Sequence, residues 1–305
     1  MKKRILVTGG TGYIGSHTVV ELIENDYEVV IIDNLYNSDA ETAKRIGKIT
    51  GTTPHLEVFD LCDGKKLNKF LDKTENISAI IHFAAFKAVG ESVNKPLDYY
   101  RNNLISLMNL LDAMIVHQIP SIVFSSSCTV YGQPEKLPVT EHTPIQPAIS
   151  PYGNTKQIGE EIISDTISAN HGLKAISLRY FNPIGAHPSG LIGELPRGVP
   201  ENLVPFITQT AIGIRNELQV FGNDYNTPDG SCIRDYLHVV DLAKAHVAAV
   251  DRLTGDKNKK RYEVFNLGTG KGVSVFEAIE SFERVSGVKL KYRITNRRPG
   301  DIEKI

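Results

Sequence analysis

The sequence predicts an α/β fold in which a doubly wound parallel sheet is followed by a smaller α/β lobe. Apolar runs of strand length alternate with helical patterns between residues 4 and 180, and this alternation is typical of a parallel sheet with helices on both faces. A glycine-rich turn joins the first strand to the first helix, and beyond residue 180 the chain becomes rich in Gly and Pro. We therefore expect a nucleotide-binding domain over residues 1–180 and a lobe over residues 181–305 that mainly binds substrate.

Composition narrows the class of function. The 305 residues carry a net charge of −1 with both signs interspersed, so no basic surface of the kind that binds nucleic acid is expected. The three cysteines, Cys62, Cys128 and Cys232, lie far apart, which argues against a disulfide framework or a metal site and favours a reducing compartment. The apolar run after Arg4 is too short for a signal peptide, and no run approaches the ~18 residues of a membrane span. We expect a cytoplasmic protein.

The glycine-rich turn predicts a dinucleotide site of the Rossmann type. A strand over residues 4–8 leads into Gly9, Gly12 and Gly15, and a helical pattern follows through Ile23. Placement between a strand and a helix is the context that this motif requires. The glycines allow a tight turn and close approach of the backbone to a pyrophosphate, and the helix N-terminus offers free N–H groups.

The second strand indicates which dinucleotide binds. The second strand covers residues 28–32, is apolar after Glu28 and ends at Asp33, 18 residues after Gly15, where an acidic side chain binds the ribose 2′-hydroxyl. A carboxylate there repels a 2′-phosphate, so we expect NAD rather than NADP. The alternative interpretation is that Asp33 only caps a helix or forms a turn.

The next two strands end at further candidate cofactor residues. A strand over residues 56–59 ends at Asp60, which can bind the adenine amine or can begin a turn. A strand over residues 78–83 leads to Ala84 and Ala85, whose small side chains let the chain pass beneath a cofactor, and then to Lys87, which is either a cofactor ligand or a solvated cation. A long helix over residues 97–117 contains Asn102 and Asn103; we expect one of the two to bond the fifth strand or the cofactor.

Two later stretches predict the catalytic group. The fifth strand, over residues 121–125, leads to Ser127. A helical run begins near residue 151 and places Tyr152 and Lys156 four residues apart, on one face. A hydroxyl, a phenol and an ammonium that converge in this way suit proton transfer coupled to hydride transfer.

The remaining chain predicts the substrate lobe. After a sixth strand over residues 174–180, a long Gly- and Pro-rich loop precedes short apolar runs and helical patterns, including a run over residues 265–268. Arg234, Arg297 and Arg298 are candidates for bidentate phosphate binding, with an ordinary surface position as the alternative for each.

Together these residues resemble the extended short-chain dehydrogenase/reductase family, and within it the branch that epimerises UDP-hexoses at C4. The resemblance runs from residue 4 to the end. The Tyr-x-x-x-Lys spacing of Tyr152 and Lys156 is shared by the whole superfamily, whereas the stretch over residues 179–190 and Phe-Gly-Asn-Asp-Tyr over residues 221–225 are more specific to that branch.

The resemblance implies roles for individual residues. Tyr152 is implied as the catalytic base, Ser127 as its hydrogen-bonding partner, and Lys156 as a ligand of the nicotinamide ribose. The implied cofactor contacts are Gly9, Gly12, Tyr13, Ile14, Gly15, Asp33, Asn34, Asn37, Ser38, Asp60, Leu61, Phe83, Ala84, Ala85, Lys87, Asn102, Tyr152, Lys156 and Phe181. The implied contacts to a UDP-hexose are Ser127, Tyr152, Asn182, Asn202, Leu203, Phe221, Arg234, Arg298 and Asp301.

The resemblance also implies the reaction and leaves alternatives open. It implies NAD-dependent inversion at C4 through a 4-keto sugar, and a homodimer built from the helices over residues 97–117 and 152–171. Ile305 falls where the family often carries Tyr or a small residue beside the sugar C2 group, so UDP-N-acetylhexosamines or UDP-uronates remain possible substrates. A dehydratase is disfavoured because Cys128 and Thr129, not acids, follow Ser127. A non-catalytic NAD sensor is disfavoured because Tyr152 and Lys156 are both present. Family chains normally continue past residue 305, so we expect the end of the lobe to be incomplete.

Overall fold

The computed structural model describes residues 2–298 and 302–305, and a seven-stranded parallel sheet forms its centre. In spatial order the strands are β3 (His55–Val58), β2 (Glu28–Asp33), β1 (Arg4–Thr8), β4 (Ile77–His82), β5 (Ser121–Ser125), β6 (Lys174–Tyr180) and β10 (Tyr262–Leu267). The chain reverses direction across the sheet between β1 and β4, because β1 pairs with both β2 and β4. This topology confirms the doubly wound fold.

Helices cover both faces of this sheet, and each face has its own apolar core. On one face lie α3 (Gly64–Leu71), α5 (Pro96–Val116) and α6 (Pro151–Ala169). On the other face lie α1 (Tyr13–Glu24), α2 (Glu41–Thr50) and α8 (Val239–Thr254). The inner strands are almost wholly buried and each has an apolar centre, as expected for parallel strands covered on both sides. None of the helices among residues 2–298 combines the length and apolarity that crossing a membrane requires.

Two parts of the large sheet come from beyond residue 180. Strand β10 pairs in parallel with β6 and adds a seventh strand, although the sequence pattern over residues 265–268 indicated only part of the lobe. Helix α8 packs against α1 through side chains such as Leu242 and Val250. The chain therefore enters the lobe, returns to the large sheet, and enters the lobe again.

The smaller lobe confirms the expected second unit and lies beyond the carboxyl ends of the sheet. It contains a three-stranded sheet, a two-stranded sheet and two helices, whereas α4 (Val89–Asn94) packs against α5 and α6 of the large domain. The three-stranded sheet joins β7 (Asn182–Ile184), β9 (Ile233–His238) and β11 (Gly272–Ser274), and the two-stranded sheet joins β8 (Leu218–Phe221) and β12 (Tyr292–Thr295). Helices α7 (Leu203–Ala211) and α9 (Val275–Ser286) pack against β8 through a separate apolar cluster.

Candidate active site

A cleft of about 880 Å³ runs along the carboxyl ends of the large sheet and gathers most of the predicted site residues. It is lined by Gly9, Gly12, Tyr13, Ile14, Gly15, Asp33, Asn34, Asn37, Ser38, Asp60, Leu61, Phe83, Ala84, Ala85, Lys87, Asn102, Ser127, Tyr152, Lys156, Phe181, Asn182, Asn202, Arg234 and Arg298. Leu203 and Phe221 line an adjoining cavity of about 820 Å³, which shares Asn182, Asn202, Arg234 and Arg298 with the cleft. The carboxyl end of a parallel sheet is where such folds bind ligands.

The glycine turn has the geometry of a pyrophosphate cradle. Gly9 has φ +72°, and a Cβ added to Gly15 would lie 2.2 Å from the Gly9 carbonyl oxygen, so neither position accepts a side chain. Helix α1 begins at Tyr13 with Gly12 as its N-cap, and no side chain caps its free N–H groups. An uncapped helix start without an acidic residue in the first turn favours a bound anion. The residues present therefore fit a dinucleotide.

Asp33 organises the loop that follows the second strand. Its Oδ2 accepts the Thr11 N–H at 3.1 Å, and its Oδ1 accepts the Leu35 N–H at 2.9 Å and the Ser38 hydroxyl at 3.0 Å. Each carboxylate oxygen has two lone pairs, so Oδ2 keeps one acceptor site for a ribose hydroxyl. Asp33 thus forms a turn and lines the cleft, and its contact with a ribose hydroxyl stays a prediction.

The structure distinguishes the two asparagines of α5. Asn103 bonds the backbone of Phe86 in both directions, at 2.8 and 3.0 Å, and its Nδ2 donates to Thr155 Oγ1 at 3.0 Å. These bonds tie the loop after β4 to α6, rather than to the fifth strand. Asn102 lines the cleft, and its side chain donates to Asn103.

Two charged candidates on the cofactor side already have partners within the chain. Asp60 accepts the Cys62 N–H at 2.8 Å, as a turn residue does, and its other oxygen accepts from Asn34 at 3.2 Å. Lys87 lies 3.0 Å from Glu194, on the loop that follows β7. Contact of either side chain with a cofactor stays a prediction.

Ser127 is positioned by a short 3₁₀ turn, Cys128–Tyr131, that follows β5. Its Oγ accepts the Thr129 N–H at 3.2 Å and caps this turn. The side chain is buried yet lines the cleft, and hydrogen bonding by its hydroxyl acts to lower the pKa of the Tyr152 phenol.

Tyr152 and Lys156 are positioned by the start of α6. The Ser150 hydroxyl accepts the Gly153 N–H at 3.1 Å, and Pro151 occupies the first helical turn, which together define where the helix begins. Lys156 lies one turn further on, and its Nζ donates to the Ser125 carbonyl at 2.7 Å and lies 5.7 Å from the centre of the Tyr152 ring. The three residues therefore converge as the sequence predicts.

Burial shifts the pKa values of Tyr152 and Lys156 in the directions that favour their uncharged forms. It raises the pKa of Tyr152 above its ordinary value; Tyr180 adds to this rise, and the hydrogen bond with Ser127 opposes it. Burial lowers the pKa of Lys156 to about 8, while the negative charge of Glu160 acts in the opposite direction. A phenolate at Tyr152 therefore needs more positive charge beside it than the chain alone supplies.

A buried ion pair holds the catalytic segment from behind. The Arg179 guanidinium donates to both oxygens of Glu160, with Nε at 2.9 and 3.2 Å, and the two side chains are 6% and 8% exposed. The Ser126 hydroxyl also donates to Glu160, and Arg179 donates to the Tyr131 hydroxyl at 3.0 Å. This network links α6, the end of β5, the 3₁₀ turn and β6.

The opposite wall of the cleft comes from the small lobe. Arg234 Nη1 donates to the Ile233 carbonyl at 2.9 Å, and the half-buried Arg298 lies 5.4 Å from the centre of the Phe221 ring. Arg297 lines neither cavity, and its Nε instead bonds Asp224 at 2.8 Å. Asp301 lies outside the described residues.

Several residues that line or support the site escaped sequence reasoning. Glu160 lies four residues after Lys156, so the helical period would have placed it behind the active site, but its pairing with Arg179 has no local signal. Glu194 and Arg197, in the Gly- and Pro-rich loop, also line the cleft. No cluster of three potential metal ligands occurs within residues 2–298 and 302–305.

The chain is similar in sequence and in structure to known proteins. Residues 5–268 match the model of the NAD dependent epimerase/dehydratase family. The chain is 51% identical over 298 residues to a UDP-glucose 4-epimerase of Bacillus subtilis, which covers 98% of this chain and 86% of that protein.

Solved structures show the same similarity. A UDP-glucose 4-epimerase of Bifidobacterium longum in complex with NAD⁺ and UDP superposes with a TM-score of 0.95 at 46% identity, over 99% of this chain and 88% of that one. A UDP-Glc/GlcNAc 4-epimerase of Campylobacter jejuni superposes with a TM-score of 0.83 at 36% identity, over 99% of this chain and 89% of that one.

Proposed function

The chain belongs to the NAD dependent epimerase/dehydratase family, and from that premise we propose the part that each site residue plays. The protein is an NAD-dependent isomerase that interconverts UDP-galactose and UDP-glucose by inversion at C4. The reaction passes through a 4-keto sugar and has no net oxidation. The observation that supports these roles most directly is the convergence of Ser127, Tyr152 and Lys156 at one end of a cleft whose other end is the glycine turn.

The cofactor site is formed by the glycine turn, Asp33 and the residues of the cleft that the strand ends contribute. Gly9, Gly12 and Gly15 leave room for the pyrophosphate, and Asp33 Oδ2 accepts a ribose hydroxyl. Lys156 binds the nicotinamide ribose. When bound, NAD supplies the acceptor and donor of the C4 hydride and, in its oxidised form, a positively charged ring.

Tyr152 moves the proton. As a phenolate it takes the proton of the sugar O4 hydroxyl, and it returns that proton once the opposite face of the 4-keto sugar has been reduced. Ser127 donates a hydrogen bond that favours the phenolate and orients O4. Proton transfer of this kind is typically worth 10²–10⁴-fold in rate.

Positive charge near Tyr152 stabilises its phenolate form. At 5.7 Å from the Tyr152 ring, the Lys156 ammonium contributes roughly 3 kcal/mol at an effective dielectric constant of about 20, or about 2 pKa units. Burial opposes this gain. A second positive charge beside the phenol is required, so Tyr152 is expected to be more acidic with oxidised than with reduced cofactor.

Inversion requires that the sugar turn over while UDP stays bound. Arg234, Arg298 and Asn182 lie on the wall shared by the cleft and the adjoining cavity, where two guanidinium groups can grip a diphosphate. Asn202, Leu203 and Phe221 complete the UDP site among the described residues. Ser127 and Tyr152 contact the sugar at one end only, which leaves it free to rotate.

The two ligands are assigned mainly to different parts of the chain. We propose that residues 1–180, joined by α8 and β10 from beyond residue 180, form the NAD-binding domain, and that the other elements of residues 181–305 mainly bind the UDP-sugar. The three free cysteines support a reducing compartment, and on that ground we propose a cytoplasmic location.

We also propose a homodimer formed through α5 and α6. Leu97, Ile105, Met108 and Val116 of α5 are 61%, 37%, 43% and 68% exposed, and they recur at helical spacing. Size-exclusion chromatography with light scattering tests this proposal: Met108→Glu should shift the protein from dimer to monomer, whereas Val285→Glu, at an exposed apolar residue of α9, should leave the dimer intact.

The activity is tested by converting UDP-galactose to UDP-glucose with purified protein and no added NAD. Turnover is expected, because the reaction restores the cofactor in every cycle. If the protein turns over only after NAD is added, the epimerase chemistry stands, but the claim that the protein retains its cofactor does not. Failure with NAD present, on a panel that includes UDP-N-acetylgalactosamine and UDP-galacturonate, would refute the epimerase.

A further inference from the structure

A segment of the small lobe crosses the cofactor end of the cleft. We call residues 191–202 the strap. It lies between β7 and α7, and much of it faces the same cleft as the glycine turn. The strap residues that line the cleft are Ile192, Gly193, Glu194, Leu195, Pro196, Arg197, Val199, Glu201 and Asn202.

Backbone contacts anchor the strap on the lobe side. Gly193 forms an antiparallel bridge with Ala186, and the His187 N–H donates to the Ile192 carbonyl at 3.1 Å. Further along, Arg215 Nη2 donates to the Gly198 carbonyl at 3.1 Å, and α7 begins at Leu203. The strap is therefore a span held at both ends by its own lobe.

Arg197 fastens the middle of the strap to the opposite wall. Its Nη1 donates to the Leu35 carbonyl at 3.1 Å and to the Tyr36 carbonyl at 3.3 Å, and its Nη2 donates to the Ser38 carbonyl. These carbonyls belong to the loop after Asp33, whose conformation places the acceptor for the adenosine ribose. One planar guanidinium thus bonds three backbone groups across the groove, which its fixed array of donors allows.

Glu194 forms a second attachment between the strap and the large domain, nearer the catalytic residues. Its carboxylate accepts from Lys87 at 3.0 Å and from Asn202 at 2.6 Å, and its side chain is only 10% exposed. The strap therefore reaches the large domain at two places, one at each side of the cofactor groove.

We propose that Arg197 closes the strap over the dinucleotide groove, and that opening of this strap limits the rate at which NAD enters and leaves. The inference rests on the proposed function, because an epimerase returns its cofactor unchanged and gains from keeping it. Release requires the three Arg197 bonds to break together. Lysine can replace only part of this arrangement, because an ammonium is a point donor without the planar fork.

The test measures cofactor exchange directly. NAD-free protein is mixed with NADH in a stopped-flow fluorimeter to give the entry rate, and NADH-loaded protein is mixed with excess NAD to give the exit rate. Arg197→Ala should raise both rates about tenfold, equivalent to about 1.4 kcal/mol, and Arg197→Lys should give intermediate rates.

A matched control variant distinguishes the effect of opening the strap from the effect of losing one positive charge. Arg293 is an exposed arginine of β12 that bonds Glu217 at 2.7 Å and lines neither cavity; Arg293→Ala should exchange NADH at the wild-type rates. Faster exit with unchanged entry in Arg197→Ala would overturn the strap, because Arg197 would then be a direct cofactor ligand. Unchanged entry and exit would overturn it as well. A wild-type protein that binds no NADH would instead refute the proposed NAD-dependent function itself, and the strap with it.

Discussion

The two walls of the cleft are built by different means. On the wall of the large sheet, Ser127, Tyr152 and Lys156 are 6%, 9% and 4% exposed, and an ion pair buried behind them supports their segments. On the wall of the lobe, Phe221 is 37% exposed and Arg298 is half-buried beside it. The first wall is a buried polar network inside a core, whereas the second is a set of longer side chains at a surface.

This difference matches the two tasks of an epimerase. Proton transfer needs donors and acceptors held in place before the substrate arrives, and buried networks supply that order. Recognition of UDP across two sugar orientations tolerates side chains that adjust, and exposed ion pairs cost little to rearrange. Substitutions on the first wall should therefore affect kcat or folding, and those on the second wall should affect binding.

The largest expected effect is the loss of the Tyr152 hydroxyl. Tyr152→Phe should lower kcat by roughly 10²–10⁴-fold, because it removes the proposed acceptor of the O4 proton. Binding of NAD and UDP should persist, since the ring and the fold remain. Steady-state assays with UDP-galactose and calorimetric titration with UDP measure the two properties.

Tyr180→Phe is the matched control for that variant. Tyr180 is a second buried phenol, bonded to the Ser125 hydroxyl beside the same site. Its loss should reduce kcat less than about tenfold, because it orients the strand end and moves no proton. Equal losses in the two variants would mean that Tyr152 contributes packing rather than chemistry.

The buried ion pair should show the next largest effect, on stability. Glu160→Met alone leaves the Arg179 guanidinium buried without its carboxylate, which should cost about 3–5 kcal/mol in the free energy of unfolding. Glu160→Met combined with Arg179→Met removes both charges and should recover most of that loss. Urea denaturation of the wild type, both single variants and the double variant gives the coupling energy. A double variant that is less stable than either single variant would exclude a compensated pair.

Lys156 should make stability depend on pH in a predictable direction. Its pKa of about 8 in the folded protein lies below the 10.5 of a free lysine, so the unfolded chain binds more protons between these pH values. Wild-type stability should therefore rise as pH increases through that window. In the NAD-free protein, Lys156→Met should be more stable than wild type at pH 7, by up to roughly 3 kcal/mol, and the difference should shrink by pH 10. Urea denaturation of both proteins at both pH values measures this difference in the free energy of unfolding. If the difference does not vary with pH, burial of the Lys156 charge is not its cause.

The same contrast explains how much the sequence could predict. The large-sheet wall follows local signals: strand runs, the glycine turn, and the i, i+4 spacing of Tyr152 and Lys156. Since the carboxyl ends of parallel strands meet at one edge, Asp33, Ser127 and their neighbours were expected to line one cleft, and they do.

Pairings between distant segments had no such signal. Strand β10 joins β6 after the chain has passed through the lobe, and short apolar runs do not indicate their partners. Arg179 and Glu160 meet across a strand and a helix, and Arg197 reaches carbonyls more than 150 residues away. Arg297 and Arg298 are adjacent in sequence, yet only Arg298 lines the cleft, because Asp224 holds Arg297 elsewhere.

That adjacent pair provides the smallest and most selective test of the lobe wall. Arg298→Ala should raise the KM for UDP-galactose and the Kd for UDP by about 10- to 100-fold, as loss of a hydrogen bond to a charged group implies. The kcat should change little, because UDP is gripped equally in the ground state and the transition state. Arg297→Ala, one residue away, should leave KM and Kd near their wild-type values. If Arg298→Ala lowered kcat at unchanged KM, Arg298 would belong with the chemical wall, and the division between an ordered catalytic wall and an adjustable recognition wall would fail.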